Sequence, residues 1–301
     1  MEFAIGLPNA VPGTTGSQLT AWAREADERG FSSLGTIDRL VYPNYDPLIA
    51  LAGAAAVTER INLLTSILLA PLHLNTALLA KQAASLDALS GGRLVLGLAP
   101  GARDDDYDAG GASFGDRGAR FDDQLDEMER IWAGEERGVA GAIGPKLPSG
   151  DRPTLIIGGH VDASFRRVAE HADGWILGGG APDQFASMAA KVDEAWAEAG
   201  REGRPHKTAL TYFSLGPQAS ENAEHYLLHY YAWLGDETAA AIAEHAATSP
   251  EQVQTTAAAF ADAGCDEVLF MPCGNDSEQV RLLAEAAEVK GVAGESPGVT
   301  V

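Results

Sequence analysis

Two glycine-rich turns are the segments of this sequence best suited to hold an anionic group. Gly158-Gly159-His160 and Gly178-Gly179-Gly180 each end a short apolar run and lead into a predicted helix. Glycine lets the backbone approach a ligand closely, and the amides at a helix N-terminus favour a phosphate. Tight turns between a strand and a helix also favour glycine for structural reasons alone. Because two neighbouring turns share the feature, the pattern favours phosphate binding by these six residues.

Three further side chains are candidates for chemistry. Arg103 follows GLAPGA and could meet a phosphate or a polar cofactor edge, or it could be a surface arginine in an acidic loop. Arg39 could bind an anionic group or form a surface ion pair with Asp38, but an arginine stays charged near neutral pH and is a poor proton shuttle. His73, in PLHLN, could face a bound ligand or be an ordinary loop histidine. Arg39 and His73 are therefore the catalytic candidates, and no residue stands out as a general base.

Other chemistries have less support. The run Asp104–Asp106 is predicted to be a solvated loop, because consecutive acids usually face water. His225 and His229 have a spacing that a metal could use, but their tyrosine neighbours predict a packing helix that could also line a pocket. We predict no metal site. The sequence lacks the G-x-S-x-G motif of a hydrolase and the G-x-G-x-x-G fingerprint of a dinucleotide site.

Eight alternating strand and helix patterns position these residues. A chain of 301 residues with eight such units predicts an α/β fold, the (β/α)8 TIM barrel, whose sites lie at the C-terminal ends of its strands. A helical insertion at about 219–248 is predicted between strands 7 and 8. Residues 1–290 are predicted to form one domain and 291–301 a flexible tail. The predicted strands are Glu2–Leu7, Phe31–Ile37, Ile61–Ile67, Arg93–Ala99, Thr154–Gly158, Gly174–Leu177, Lys207–Leu215 and Asp266–Met271.

Composition limits the possible partners and the compartment. The net charge of −22 argues against nucleic acid and against an anionic membrane surface, because the field would repel both. No apolar run is long enough to cross a bilayer, and no leader is apparent at the N-terminus. Two cysteines, Cys265 and Cys273, fit a reducing compartment better than a disulfide framework. We therefore expect a cytoplasmic protein that acts on a small molecule.

Several segments, in order, resemble the bacterial luciferase-like superfamily of FMN- and F420-dependent oxidoreductases. They are AREADERGFSSLGTIDRL, INLLTSILLAPLHLNTALLAKQAASLDALSGGRLVLGLAPG, IIGGHVDASFRRVAEHADGWILGGG, SPEQVQ and AGCDEVLFMP. The resemblance implies a cofactor at the C-terminal mouth of the barrel, with its phosphate at the turns after strands five and six. It also implies a non-prolyl cis peptide near Ser66–Ile67, so that Thr65, Ser66 and Ile67 support the cofactor ring. Many relatives carry Asp-His where this chain has Asp38-Arg39, which puts an inherited acid–base role in doubt.

The resemblance implies one main function and leaves alternatives open. The main one is a monooxygenase that uses reduced FMN, delivered by a separate flavin reductase, and oxygen on a small organic substrate, with the protein as a homodimer. The first alternative is an F420-dependent oxidoreductase that transfers hydride without oxygen. F420 carries extra carboxylates, so the charge of −22 leans towards FMN. The others are a non-catalytic partner subunit and a metal-dependent lyase or hydrolase, for which only Asp38 and His160 would be suitable ligands.

Overall fold

The architecture is a closed barrel of parallel strands surrounded by helices, seen in a computed structural model that describes residues 1–289. Within that range nine strand segments follow the order β3-β2-β1-β9-β8-β7-β6-β5-β4, and pairing of β3 with β5 closes the barrel. The predicted TIM barrel is therefore confirmed, with eight strands of which the third is split. The segments are β1 Glu2–Gly6, β2 Ser33–Thr36, β3 Asn62–Thr65, β4 Leu68–Leu69, β5 Leu94–Ala99, β6 Thr154–Gly158, β7 Gly174–Leu177, β8 His206–Phe213 and β9 Glu267–Pro272.

The third strand is broken at the place where the resemblance implies a non-prolyl cis peptide. The peptide bond between Ser66 and Ile67 is cis, which confirms the expectation from the resemblance. β3 lies before this bond and β4 after it, and both pair with β5. Gly97 of β5 permits the close approach, since a Cβ there would collide with the carbonyl oxygen of Thr65. The Thr65 hydroxyl bridges the two strands, donating to the carbonyl of Gly97 and accepting from its amide, both at 2.8 Å.

Helices follow the strands and cover the barrel. They are α1 Gly16–Arg29, α2 Pro47–Ala55, α3 Thr76–Ser90, α4 Asp104–Gly110, α5 Arg117–Trp132, α6 Asp162–His171, α7 Pro182–Glu198, α8 Ala219–Tyr230, α9 Asp236–Glu244, α10 Pro250–Asp262 and α11 Glu278–Ala286. Where the sequence predicts an insertion, α8, a 3-10 turn at Ala232–Leu234 and α9 precede α10. We call residues 219–244 the α8–α9 segment.

Local sequence signals set several helix ends. The Thr15 side chain and Gln18 form a capping box at the start of α1, and Gly30 ends that helix with φ 87°. Ser249 caps α10, and Pro250 occupies its first turn. The prediction for residues 104–106 was wrong, because they form the first turn of α4 rather than a solvated loop.

Two apolar layers hold the fold together. The outer layer lies between the strands and the helices and includes Trp22, Trp175 and Phe185, all fully buried. The inner one fills the barrel and continues under α8, with Leu64 and Leu269 among its members. Both cysteines are buried and free. Within residues 1–289 the structure has no helix that is both long and apolar enough to cross a membrane. The predicted tail, 291–301, lies outside the described residues.

Candidate active site

A cavity of about 450 Å³ lies at the C-terminal ends of the barrel strands. Nine of the residues singled out from the sequence line it: Arg39, Ser66, Ile67, Arg103, Gly158, Gly159, His160, Gly178 and Gly179. Three others do not line it, namely Thr65, His73 and Gly180. Thr65 is fully buried and ties the split strand to β5. The structure thus brings most of the predicted residues to one place, although they come from separate parts of the chain.

The split third strand forms one wall of the cavity. Ser66 is held against β2, since its amide and its hydroxyl both donate to the carbonyl of Thr36, at 2.8 and 2.9 Å. The Ile67 side chain packs close to Gly158, where an added Cβ would come within 3.1 Å of it. This wall therefore presents a rigid, largely apolar surface to the cavity.

The glycine turns form a second wall. Gly159 has φ +140°, and a Cβ there would collide with the hydroxyl of Ser164, so this position requires glycine. Ser164 is buried in the first turn of α6 and also lines the cavity. A Cβ at Gly178 or Gly179 would meet nothing within 4 Å. Open space therefore lies in front of these two glycines, close to a helix N-terminus whose first amides have no partner within the helix.

Arg39 is already paired, and its partner is not the one expected. The alternative of a surface ion pair with Asp38 is wrong. The Arg39 Nε donates to the Asp106 carboxylate at 3.0 Å, and a terminal nitrogen lies 3.3 Å from Asp105. Asp106 is fully buried and also accepts from the amides of Leu40 and Val41, at 3.0 and 2.6 Å. One carboxylate therefore joins the loop after β2 to the start of α4.

Asp38, considered from the sequence only as a metal ligand or an ion-pair partner of Arg39, is a candidate for proton transfer that the sequence reasoning missed. Its side chain lines the cavity and accepts a hydrogen bond of 2.9 Å from the amide of Leu69. Burial raises the pKa of this carboxyl to about 7, and the nearby carboxylates of Asp46 and Asp106 contribute to the increase. A group that titrates near neutral pH can donate or accept a proton there. The available signal was its position, directly after a barrel strand at the end where catalytic residues collect.

Arg103 contacts the α8–α9 segment. Its guanidinium lies over the rings of Tyr230 and Trp233, at 4.8 and 4.7 Å from their centroids, and one nitrogen donates to the carbonyl of Tyr230 at 3.3 Å. Only 9% of the residue is exposed. Arg117, which the sequence reasoning did not single out, also lines the cavity and donates to the carbonyls of Gly101 and Phe114.

Aromatic side chains form a third wall of the cavity. Tyr230, Tyr231 and Trp233 line it together with Tyr212 of β8, so this part of the α8–α9 segment does more than pack against the core. The hydroxyls of Tyr212 and Tyr231 are 2.7 Å apart and bond to each other. Burial raises the pKa of Tyr231 to about 12 and that of Tyr212 and Tyr230 well above the ordinary value, so all three stay neutral.

Two histidines that the sequence singled out lie elsewhere. The carbonyl of His73 accepts from Gln124 at 2.9 Å, and burial lowers the pKa of its ring. The ring of His229 pairs with the hydroxyl of Tyr42 at 2.9 Å, which links α8 to the loop after β2. Among residues 1–289, one group could place three metal ligands together, Asp126, Glu129 and His171, and it lies on outer helices away from the cavity.

Comparisons with known proteins agree on a family and a fold. A family model described as luciferase-like monooxygenase matches residues 1–292. An uncharacterized protein of Mycobacterium tuberculosis is 32% identical over 207 residues, which are 60% of this chain and 71% of the relative.

Two solved structures share the fold of this chain. The monooxygenase RslO1 from Streptomyces bottropensis superposes with a TM-score of 0.77 at 23% identity, over 95% of this chain and 98% of its own. The coenzyme F420-dependent tetrahydromethanopterin reductase from Methanopyrus kandleri gives 0.76 at 21% identity, over 96% and 98%.

Proposed function

The chain belongs to the luciferase-like monooxygenase family, and from that premise we propose that it is a flavin-dependent monooxygenase acting on a small organic substrate. Reduced FMN would supply the electrons that activate oxygen. The observation that carries the proposal is one cavity with a rigid apolar wall at Ser66–Ile67 and glycine turns beside a helix N-terminus. A flat heterocycle with a phosphate tail needs such a pair of surfaces.

The residues present fit FMN. The ring would lie against Ser66 and Ile67, with Thr65 holding that wall in place from behind. The phosphate would be held by amides around Gly158–His160 and Gly178–Gly180. Support comes from the open space in front of Gly178 and Gly179 and from the short Ser164 side chain beneath Gly159. A phosphate site made of backbone amides suits this acidic chain, because it needs no cationic side chain that nearby carboxylates could neutralise.

The other side chains around the cavity would orient the substrate and manage protons. Asp38, with its pKa of about 7, would hold or release a proton next to the Ser66–Ile67 wall. The tyrosine rings would exclude water, because their hydroxyls are bonded to each other or buried. Arg39 would keep the loop after β2 in place through Asp106, a positioning role.

An F420-dependent oxidoreductase is the second candidate. The likeness of this fold to an F420-dependent reductase favours it. In that reaction the cavity would position a hydride transfer, and oxygen would not take part. The tail of F420 carries carboxylates, which would leave the cavity past the exposed acids Asp104 and Asp105. Repulsion from these acids supports FMN as the first choice.

Assembly and setting complete the proposal. Leu74 and Leu78 are 54% and 52% exposed, and Ile49 on α2, which contacts α3, is 69% exposed. A homodimer that covers these side chains would remove an apolar patch from water. A separate flavin reductase would deliver reduced FMN, and the protein would act in the cytoplasm.

Titration of the purified protein with each cofactor tests the proposal. Saturable quenching of FMN fluorescence, with reduced FMN and substrate candidates then consuming oxygen, is the expected result. Saturable binding of F420 alone would favour the second candidate. Binding of neither cofactor would contradict both and would leave the non-catalytic subunit as the better interpretation.

A further inference from the structure

Arg103 is a nearly buried cation without a counterion. Only 9% of the residue is exposed, and no carboxylate within residues 1–289 lies within 4 Å of its guanidinium. Its one hydrogen bond to a described residue goes to the carbonyl of Tyr230 at 3.3 Å. An arginine has five N–H donors, and stacking on aromatic rings uses none of them. Most of the donors of Arg103 therefore have no acceptor among residues 1–289, although the residue lines the cavity.

Arg39 shows that this chain can pair an arginine with carboxylates at the same rim. Its guanidinium is bonded to Asp106, Asp105 and the carbonyl of Val41. Arg103 lies directly before Asp104, Asp105 and Asp106 in the chain, yet none of these three carboxylates forms an ion pair with it. The tyrosines around it are neutral, because burial keeps the pKa of Tyr230 well above its ordinary value. Burying an unpaired charge is costly, so an external anion is the expected partner.

We infer that Arg103 binds the carboxylate of the substrate, and that the substrate is a small organic acid with an apolar body. A single guanidinium balances one negative charge, and its planar fork matches a carboxylate in a bidentate geometry. The rings of Tyr212 and Tyr231 offer apolar surface, since their hydroxyls bond to each other. The identification of this acid as the substrate rests on the proposed function.

The same chemistry could come from the cofactor, whose phosphate is also an anion. The substrate is the source we assign, because the side-chain contacts of Arg103 are with Tyr230 and Trp233 of the α8–α9 segment. The glycine turns after β6 and β7 already offer amides for a phosphate. Arg117 is a second cation that lines the cavity, and it lies near α6, because the next residue, Gly118, is close to Arg167 of that helix.

Benzoate and benzamide form a probe pair that isolates the charge, because they have nearly the same shape. Titrations followed by ligand-observed NMR should give a Kd for benzoate at least tenfold lower than for benzamide with the wild-type protein. Arg103→Met should abolish this preference, and Arg103→Lys should keep part of it. Arg24→Met, at an exposed position on α1, and Arg117→Met should both retain it. FMN titrations on the same variants give the independent readout, and Arg103→Met should change the Kd for FMN less than threefold.

Three results would overturn the inference. They are equal binding of the two probes by the wild-type protein, loss of the preference in Arg117→Met but not in Arg103→Met, and a tenfold loss of FMN affinity in Arg103→Met with the preference for benzoate intact. The last result would assign Arg103 to the cofactor and leave the proposed function in place. Wild-type protein that prefers benzoate yet binds neither FMN nor F420 would instead contradict the proposed function and support the carboxylate site.

Discussion

Replacing Asp38 with asparagine should stabilise the protein by an amount that grows with pH. In the folded protein burial raises the pKa of this carboxyl from 3.8 to about 7. Above pH 3.8 the unfolded chain therefore loses this proton first, and the folded state becomes less stable as the pH rises towards 7. Asparagine resembles the protonated acid and can still accept the hydrogen bond from the amide of Leu69.

The size of the effect follows from the shift. Each pH unit between the two pKa values changes the free energy of unfolding by about 1.4 kcal/mol. Between pH 5.5 and 7 the advantage of Asp38→Asn over the wild type should grow by about 2 kcal/mol, and it should stay constant above pH 7. A difference between two variants cancels the titration of all other groups that they share.

Urea unfolding at pH 5.5, 6.5, 7.5 and 8.5 measures this difference. Asp151→Asn is the matched control, since Asp151 is exposed, and its advantage should stay near zero at every pH. An advantage of Asp38→Asn that does not change between pH 5.5 and 7.5 would mean that Asp38 is ionised throughout, and the reasoning from burial would fail. If Asp38 handles a proton in catalysis, the same titration should appear in the pH profile of turnover and vanish in the variant.

Three further predictions concern the backbone, the rim and the assembly. Gly159→Ala should lower FMN affinity at least tenfold and cost about 2 kcal/mol of stability, because its Cβ meets Ser164 at a φ that favours glycine; unchanged binding would contradict the phosphate site. Arg39→Met should lower the free energy of unfolding in urea by about 3 kcal/mol, because it leaves Asp106 buried without its cation, and adding Asp106→Asn should recover part of that loss. An equal loss of stability in the single and the double variant would refute the pairing. Ile49→Lys should convert a dimer to a monomer in light scattering with little change in Tm, whereas a monomeric wild type would contradict the homodimer.

The sequence predicts the barrel well because its signals there are local. β6 and β7 begin and end where their apolar runs do, at residues 154–158 and 174–177. Strand and helix patterns alternate regularly, and glycine or proline marks most of the boundaries. The break in the third strand has no such local signal, and it was expected only through the resemblance to a family.

The parts that the sequence did not predict depend on contacts between distant residues. Three acids at 104–106 suggest solvent, but Asp106 is buried because Arg39, far away in the chain, neutralises it. The pKa of Asp38 depends on burial in the assembled barrel.

The loop after β2, α4 and α8 are joined pairwise at the mouth, through Asp106, through the Tyr42–His229 pair and through Arg103 with Tyr230. Three cross-links among three elements leave this half of the entrance little conformational entropy to lose when a ligand arrives. Preorganisation of this kind strengthens binding without adding any contact. Ligands that engage these three elements should therefore bind with a smaller entropic penalty than ligands held by the glycine turns, a difference that calorimetry can measure.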